Sequence, residues 1–176
     1  MTPALDIPVL ETERLRLRAP CAADAAAFEA FFTSGRSKFV GGPVEPGRPW
    51  RILAAHVGQW ALNGFGMWVV TARGDDAALG LVGCWAPGDW PEPELGWQMF
   101  EGAEGRGFAF EAAQAARRCA YGRFGWTTAV SYIDPDNARS RRLADRLGCV
   151  VEPDAPTPRG EPLLVYRHPA PEALAP

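Results

Sequence analysis

Apolar and polar residues alternate from Glu13 to Arg18, with Leu15 and Leu17 on one side and Arg14, Arg16 and Arg18 on the other. That period of two predicts a half-buried strand. The period then lengthens. Ala22 to Thr33 is alanine-rich, carries Phe28, Phe31 and Phe32, and is followed by Gly35, which predicts a helix stopped by glycine. Gly41 to Pro49 reads as a loop. Trp50 to Leu62 places Ile52, Leu53, Val57, Trp60 and Ala61 at helical spacing, and Asn63-Gly64 ends it. Met67 to Ala72 and Leu79 to Trp85 read as a hairpin around Gly74-Asp75-Asp76, and Glu94 to Phe100 as the next strand. Gly107 to Phe124 is a long helix with Ala109, Ala112, Ala113, Ala116 and Ala120 along one side, small enough to lie close to a sheet. Thr127 to Ile133 is a β-branched strand, Ala138 to Leu147 a helix capped through Asp134 to Asn137, and Leu163 to Arg167 a last strand. Pro169 to Pro176 reads as a frayed tail.

This order predicts an α/β or α+β protein with a mixed sheet, its antiparallel hairpins first. The late strand–helix–strand unit forms a right-handed parallel crossover. Residues 1–176 make one domain, with its core at about 9–168.

Composition narrows the function. Of the residues, 47% are hydrophobic and 22% charged, ordinary for a globular protein. A net charge of -3 argues against a general nucleic-acid partner. Lys38 is the only lysine, a sign of compositional bias. Cys21, Cys84, Cys119 and Cys149 share no paired spacing, and only His56 and His168 could join them, so no metal site is expected. The pattern suits reduced thiols in the cytoplasm. No signal-peptide pattern opens the chain, and no apolar run approaches the ~20 residues that span a bilayer, so no membrane partner is expected.

Candidate chemistry centres on Gly105-Arg106-Gly107-Phe108-Ala109, which joins a strand to a helix. Such a turn leaves main-chain N–H groups pointing outward at a helix start, a seat for the pyrophosphate of a nucleotide-like cofactor. It is not a P-loop, because no Gly-Lys-Ser/Thr follows. The Rossmann spacing fails at Phe110. Taken alone, the turn also fits a purely structural role or a nucleotide-binding interaction protein.

A second segment makes the pattern specific. Glu94-Leu95-Gly96-Trp97, then Gly105-Arg106-Gly107-Phe108-Ala109-Phe110-Glu111-Ala112-Ala113, then Asp134-Pro135-x-Asn137-x-x-Ser140-x-Arg142-Leu143-x-x-x-Leu147-Gly148 resembles the GNAT superfamily of acetyl-CoA-dependent N-acetyltransferases. Glu11-Thr12-Glu13-Arg14-Leu15-x-Leu17-Arg18 and Gly64-Phe65-Gly66-x-Trp68 are similar to its RimJ/RimL-like branch. The resemblance covers about residues 9 to 168.

The resemblance implies the GNAT fold, an α/β (α+β) arrangement with a single mixed, mostly antiparallel twisted sheet, helices on both faces, and a splay between the fourth and fifth predicted strands, those ending at Phe100 and Ile133. Freed groups near Met99 and Phe100 would pair with the pantetheine arm of acetyl-CoA as an added strand does. The backbone of Gly105, Arg106, Gly107, Phe108 and Ala109 would hold the pyrophosphate. Asn137 and Ser140 match the cofactor-facing pair, and Arg142, with Arg146, would meet the 3′-phosphate. Two departures stand out: Gly102 replaces a usual Gln or Arg, and Glu101 and Glu104 place negative charge beside an anion site. Cys149 stands where the family usually has Phe, a packing change.

The implied reaction is direct attack of a neutral amine on the thioester. A lysine-like amine has a pKa near ~10.4, so a base must take its proton. Glu94 is the first candidate and Glu92 the second. Ala144 occupies the position of the family's frequent acid tyrosine, which leaves Ser140 as the nearest hydroxyl. Trp85 and Trp97 would shape the acceptor pocket. Glu92, Glu94, Glu101 and Asp89 are weakly consistent with a polycationic acceptor. Cys84 has no histidine placed to activate it, so a covalent route is not expected. Arg117-Arg118 reads as a solvated helix face. The acceptor is a protein N-terminal amine or a small-molecule amine, and homodimers are frequent in the family. The rival expectation is a catalytically weak GNAT-fold acyl-CoA-binding or regulatory module.

Overall fold

The computed structural model describes residues 5–174. Eight strands form one sheet in the order β1-β2-β3-β4-β5-β6-β8-β7. In chain order these are β1 (Leu10–Glu11), β2 (Leu15–Arg18), β3 (Met67–Ala72), β4 (Gly80–Trp85), β5 (Glu94–Met99), β6 (Val130–Ile133), β7 (Val150–Val151) and β8 (Leu164–Arg167). The helices are α1 (Ala25–Phe32), α2 (Arg48–Asn63), α3 (Phe108–Gly122) and α4 (Ala138–Arg146). Every neighbouring pair is antiparallel except β5 and β6, which run parallel on either side of the α3 crossover. The mixed sheet of the sequence reading is present, with two short strands, β1 and β7, that it lacked. Two residues are too few to set an alternation. Ala22–Asp24 forms a 3-10 turn ahead of α1, and Pro171–Leu174 another within the predicted tail. The tail's last two residues, Ala175 and Pro176, lie outside the described residues.

Alternation along each strand supplies two cores. Leu15, Leu17, Trp68, Val70, Val82, Cys84 and Leu95 meet the small face of α3, where Ala112, Ala113, Ala116 and Ala120 are fully or nearly fully buried. Met67, Val69, Leu81 and Phe100 face the other way, onto Phe28, Phe31 and Phe32 of α1 and Leu53 of α2. Trp60 donates its indole N–H to the Met67 carbonyl (3.0 Å), so the large polar ring is buried with its one donor satisfied.

One element positions the site. β5 pairs with β4 over its full length, but with β6 only at Glu94↔Val130. Beyond that single rung the two parallel strands part, which is the splay the motifs imply.

Candidate active site

The parting opens a cleft of about 1060 Å³. Trp97, Gln98 and Met99 of β5 form one wall, and the loop from Ala103 to Phe110, Arg106 apart, another. The start of α4, from Asp136 to Leu143 with Arg146, closes the far side, and Phe31 with the segment from Gly35 to Val40 closes the last.

The loop owes its shape to glycine. Gly105 (φ 72°) and Gly107 (φ 78°) occupy the left-handed region, which a side chain resists. The chain thereby turns sharply from β5 into α3. Among the described residues no protein acceptor takes the N–H of Gly105, Arg106, Gly107, Phe108 or Ala109. These donors cluster at the positive end of the α3 dipole. Arg14 fixes the loop from behind: its guanidinium donates to the Arg106 carbonyl (2.9 Å) and to Glu111 (2.7 Å). Thr12 donates to the same carboxylate (2.6 Å). Burial pushes the Glu111 pKa up, but Thr12 and Arg14 outweigh it and hold the carboxyl below its ordinary range. The Thr12 and Arg14 positions of the opening strand motif are therefore struts of the glycine loop, a role absent from the sequence reading.

Glu104 does not stand as a bare charge beside these amides. Arg36 pairs with it directly, and Arg139 lies 3.7 Å away. Arg106 is exposed, with its guanidinium 4.4 Å over the Phe108 ring. Arg142 lines the cleft; Arg146 does too, and it sits 4.5 Å over Phe110.

On β5 the Phe100 N–H donates to the Leu79 carbonyl on the β4 side (2.9 Å). Alternation then turns the N–H groups of Met99 and Trp97 into the gap. Met99 lines the cleft. The Phe100 side chain is buried against Phe28 and Phe31, and neither its ring nor its N–H faces the cleft. Expecting Phe100 to touch a cofactor is corrected by this one-residue register.

Asn137 caps α4 by accepting from the Ser140 N–H (3.2 Å), and it lines the cleft. The Ser140 hydroxyl accepts from the Trp97 indole (3.1 Å). Trp97, Ser140, Asn137, Arg142 and the glycine loop thus meet in one cleft. Trp97 stands among the α4 residues, not in a separate acceptor pocket.

Glu94 and Trp85 are elsewhere. As cross-strand partners they share the α1/α2 face, at the closed end of the splay, and neither lines the large cleft. Trp85 packs on His56 (5.0 Å) and Trp90 (6.4 Å). Glu94 accepts from the Trp90 indole (2.6 Å). Removal from water pushes its pKa up to about 7, against the lowering effect of the Trp90 indole and the Tyr132 main-chain N–H. Glu94 and Ser140 therefore approach the splay from opposite faces of β5.

Other carboxylates are already engaged. Arg167 grips Glu92 with two bonds of 2.5 and 2.9 Å and holds Glu152 as well, which removes Glu92 as a base. Asp89 pairs with Arg159 (2.7 Å), and none of Asp89, Glu92, Glu94 and Glu101 lines the large cleft. Cys84 is fully buried, and desolvation raises its pKa well above the ordinary thiol value, so it carries no nucleophilic thiolate. Arg117 corrects the expectation of a solvated arginine pair: it is buried, while Arg118 is exposed. Among the described residues no group of His, Cys, Asp and Glu could hold a metal ion. No helix among them is long and apolar enough to cross a membrane.

Comparison with known proteins agrees with this geometry. The acetyltransferase (GNAT) domain family matches residues 14–150. The crystal structure of the acetyltransferase from Agrobacterium tumefaciens strain C58 is 37% identical, with a TM-score of 0.88 over 96% of this chain and 98% of that one. A GNAT-family acetyltransferase from Bacillus anthracis is 19% identical, with a TM-score of 0.72 over 92% of this chain and 96% of that one. RimL, the ribosomal L7/L12 alpha-N-protein acetyltransferase, is 15% identical, with a TM-score of 0.71 over 92% of each chain. The last two establish likeness of fold. With most of its length inside the matched span and a sheet that parts where the family's motifs require, this chain belongs to the GNAT acetyltransferases and is an acyltransferase enzyme.

Proposed function

We propose that this protein, acting as a single domain, transfers an acetyl group from acetyl-CoA to a primary amine by direct attack. The observation that carries the reading is one cleft in which five unpaired loop amides adjoin strands joined by a single rung. Those features fit a diphosphate and an extended amide-bearing arm. Gly105, Arg106, Gly107, Phe108 and Ala109 hold the pyrophosphate through their N–H groups, and Trp97 and Met99 offer theirs to the arm. Arg142, Arg146 and Arg139 supply positive charge for a further phosphate. The Asn137 amide and Ser140 hydroxyl face the same arm.

Acetyl-CoA supplies the acetyl group already activated as a thioester. The chain's own residues align the amine and manage its protons. Glu94 is the proposed base: a pKa of about 7 suits a group that takes a proton at neutral pH. It lies on the face that carries α1 and α2, and we place the acceptor's approach there. Ser140 is the proposed donor to the leaving thiolate, its hydroxyl held by Trp97. Trp85, beside Glu94, shapes the acceptor's approach.

The acceptor is a protein N-terminal amine or a small-molecule amine. RimL, named for action on an α-amino group, shares the fold. Four unpaired thiols suit a cytoplasmic setting. Thiol release from acetyl-CoA over a panel of N-terminal peptides and small amines tests the reading. Turnover on at least one amine is expected, and saturable cofactor binding with no turnover on any would leave only a binding module.

A further inference from the structure

The β5–β6 ladder stops after one rung, and a side chain occupies the acceptor of the next. In a parallel ladder continuing from Glu94↔Val130, the Tyr132 N–H would donate to the Leu95 carbonyl. The rung before it is made: Val130 N–H donates to the Pro93 carbonyl (3.0 Å). The Leu95 carbonyl instead takes the Ser131 hydroxyl (2.5 Å).

Ser131 is itself oriented from behind. Arg117 Nη1 donates to the Leu147 carbonyl (2.7 Å) and lies 3.3 Å from His168 Nδ1. A guanidinium only donates, so Nδ1 accepts and the His168 proton sits on Nε2. Nε2 lies 2.9 Å from Ser131 Oγ and donates to it, which leaves the hydroxyl proton for Leu95. Arg117, His168, Ser131 and Leu95 are all at most 5% exposed, so every donor and acceptor in this chain of bonds must be matched within the protein. Burial, with the Arg117 and Arg167 charges, holds His168 neutral, its pKa pushed down to about 3. The direction of the relay is therefore fixed over the working pH range.

We propose that Arg117, His168 and Ser131 are positioning residues that end the β5–β6 ladder and hold open the gap for the thioester arm. The inference rests on the acetyl-CoA reading above. Ser131 occupies the acceptor of the missing rung, and the strands cannot zip further without displacing it. None of the three residues needs to touch the arm.

The test compares Ser131→Thr with Ser131→Val. The two replacements have nearly one shape and differ by the hydroxyl. Acetyl-CoA binding to the full chain is followed by calorimetry, and melting by circular dichroism. Loss of one buried hydrogen bond that biases the gap is expected to weaken binding by about tenfold in S131V relative to S131T. S131V should melt below S131T, because it leaves the His168 Nε2–H and the Leu95 carbonyl unmatched, so binding is measured well below both melting temperatures. Equal affinities would overturn the proposal while leaving the cofactor site standing; a wild-type chain that binds no acetyl-CoA removes both. If S131V does not fold, S131A, which adds no volume, carries the same expectation, and a wild-type affinity in it overturns the proposal.

Discussion

Glu94 changes charge near neutrality because burial opposes its ionised form, and only the Trp90 indole and a main-chain N–H oppose that effect. A base works when ionised, so kcat/KM of the wild-type enzyme should rise with pH through about 7. Glu94→Gln should abolish that limb and lower the plateau by roughly 10²-fold, in the range of general-base catalysis. Rates measured from pH 5.5 to 8.5 check this, and an unchanged limb in the variant would clear Glu94 of the part. Glu94 and its elevated pKa belong to different levels of legibility. Its place at the start of a strand is written in the sequence. Its burial is not, because it comes from Trp90 in a Pro- and Gly-rich loop. Glu92, two residues earlier, stands second by sequence, and the Arg167 partner that removes it lies 75 residues away. Arg117 was misjudged for a different reason. Beside Arg118 it suggests a solvated pair, yet it lies four residues after Ala113 and three before Ala120, on the inward stripe of α3. The helical period held that signal, and the charge masked it.

At the level of elements, the glycine loop and α3 act together. A helix N-terminus contributes only about 0.3–1 kcal/mol toward an anion, so the site depends on several amides converging. Gly107→Glu forces a side chain into a left-handed conformation at φ 78° and adds a negative charge among those amides. Calorimetry should find acetyl-CoA binding abolished in G107E while its circular dichroism spectrum stays that of the wild type. Normal affinity in a folded variant would show that the loop does not hold the pyrophosphate. The helix behind it is equally specific about size. Ala116 is fully buried against the sheet, and Ala116→Leu should lower stability by about 1–3 kcal/mol through overpacking. Urea denaturation measures this, and a loss below about 0.5 kcal/mol would mean the α3 face has room to spare. The alanine stripe, the glycine stops and the Asn137 cap were all visible as local patterns, which is why these elements agree with expectation to within a few residues. β1 and β7 were not visible, since each exists only by pairing with a longer neighbour.

Across the whole molecule, the proposed function depends on a pairing that fails to form. Composition and periodicity indicate strands and helices but not which strand edges part. The order of motifs pointed to the splay by resemblance, and the sheet shows it as a parallel pair with one rung. The cleft that results brings the β5 wall, the glycine loop and the start of α4 within one volume of about 1060 Å³. A crystal structure of the full chain with acetyl-CoA is the most direct measurement. It should show phosphate oxygens within hydrogen-bond distance of the N–H groups from Gly105 to Ala109, and the pantetheine arm paired with Trp97 and Met99 between β5 and β6. Phosphates bound elsewhere, or an arm outside that gap, would contradict the account.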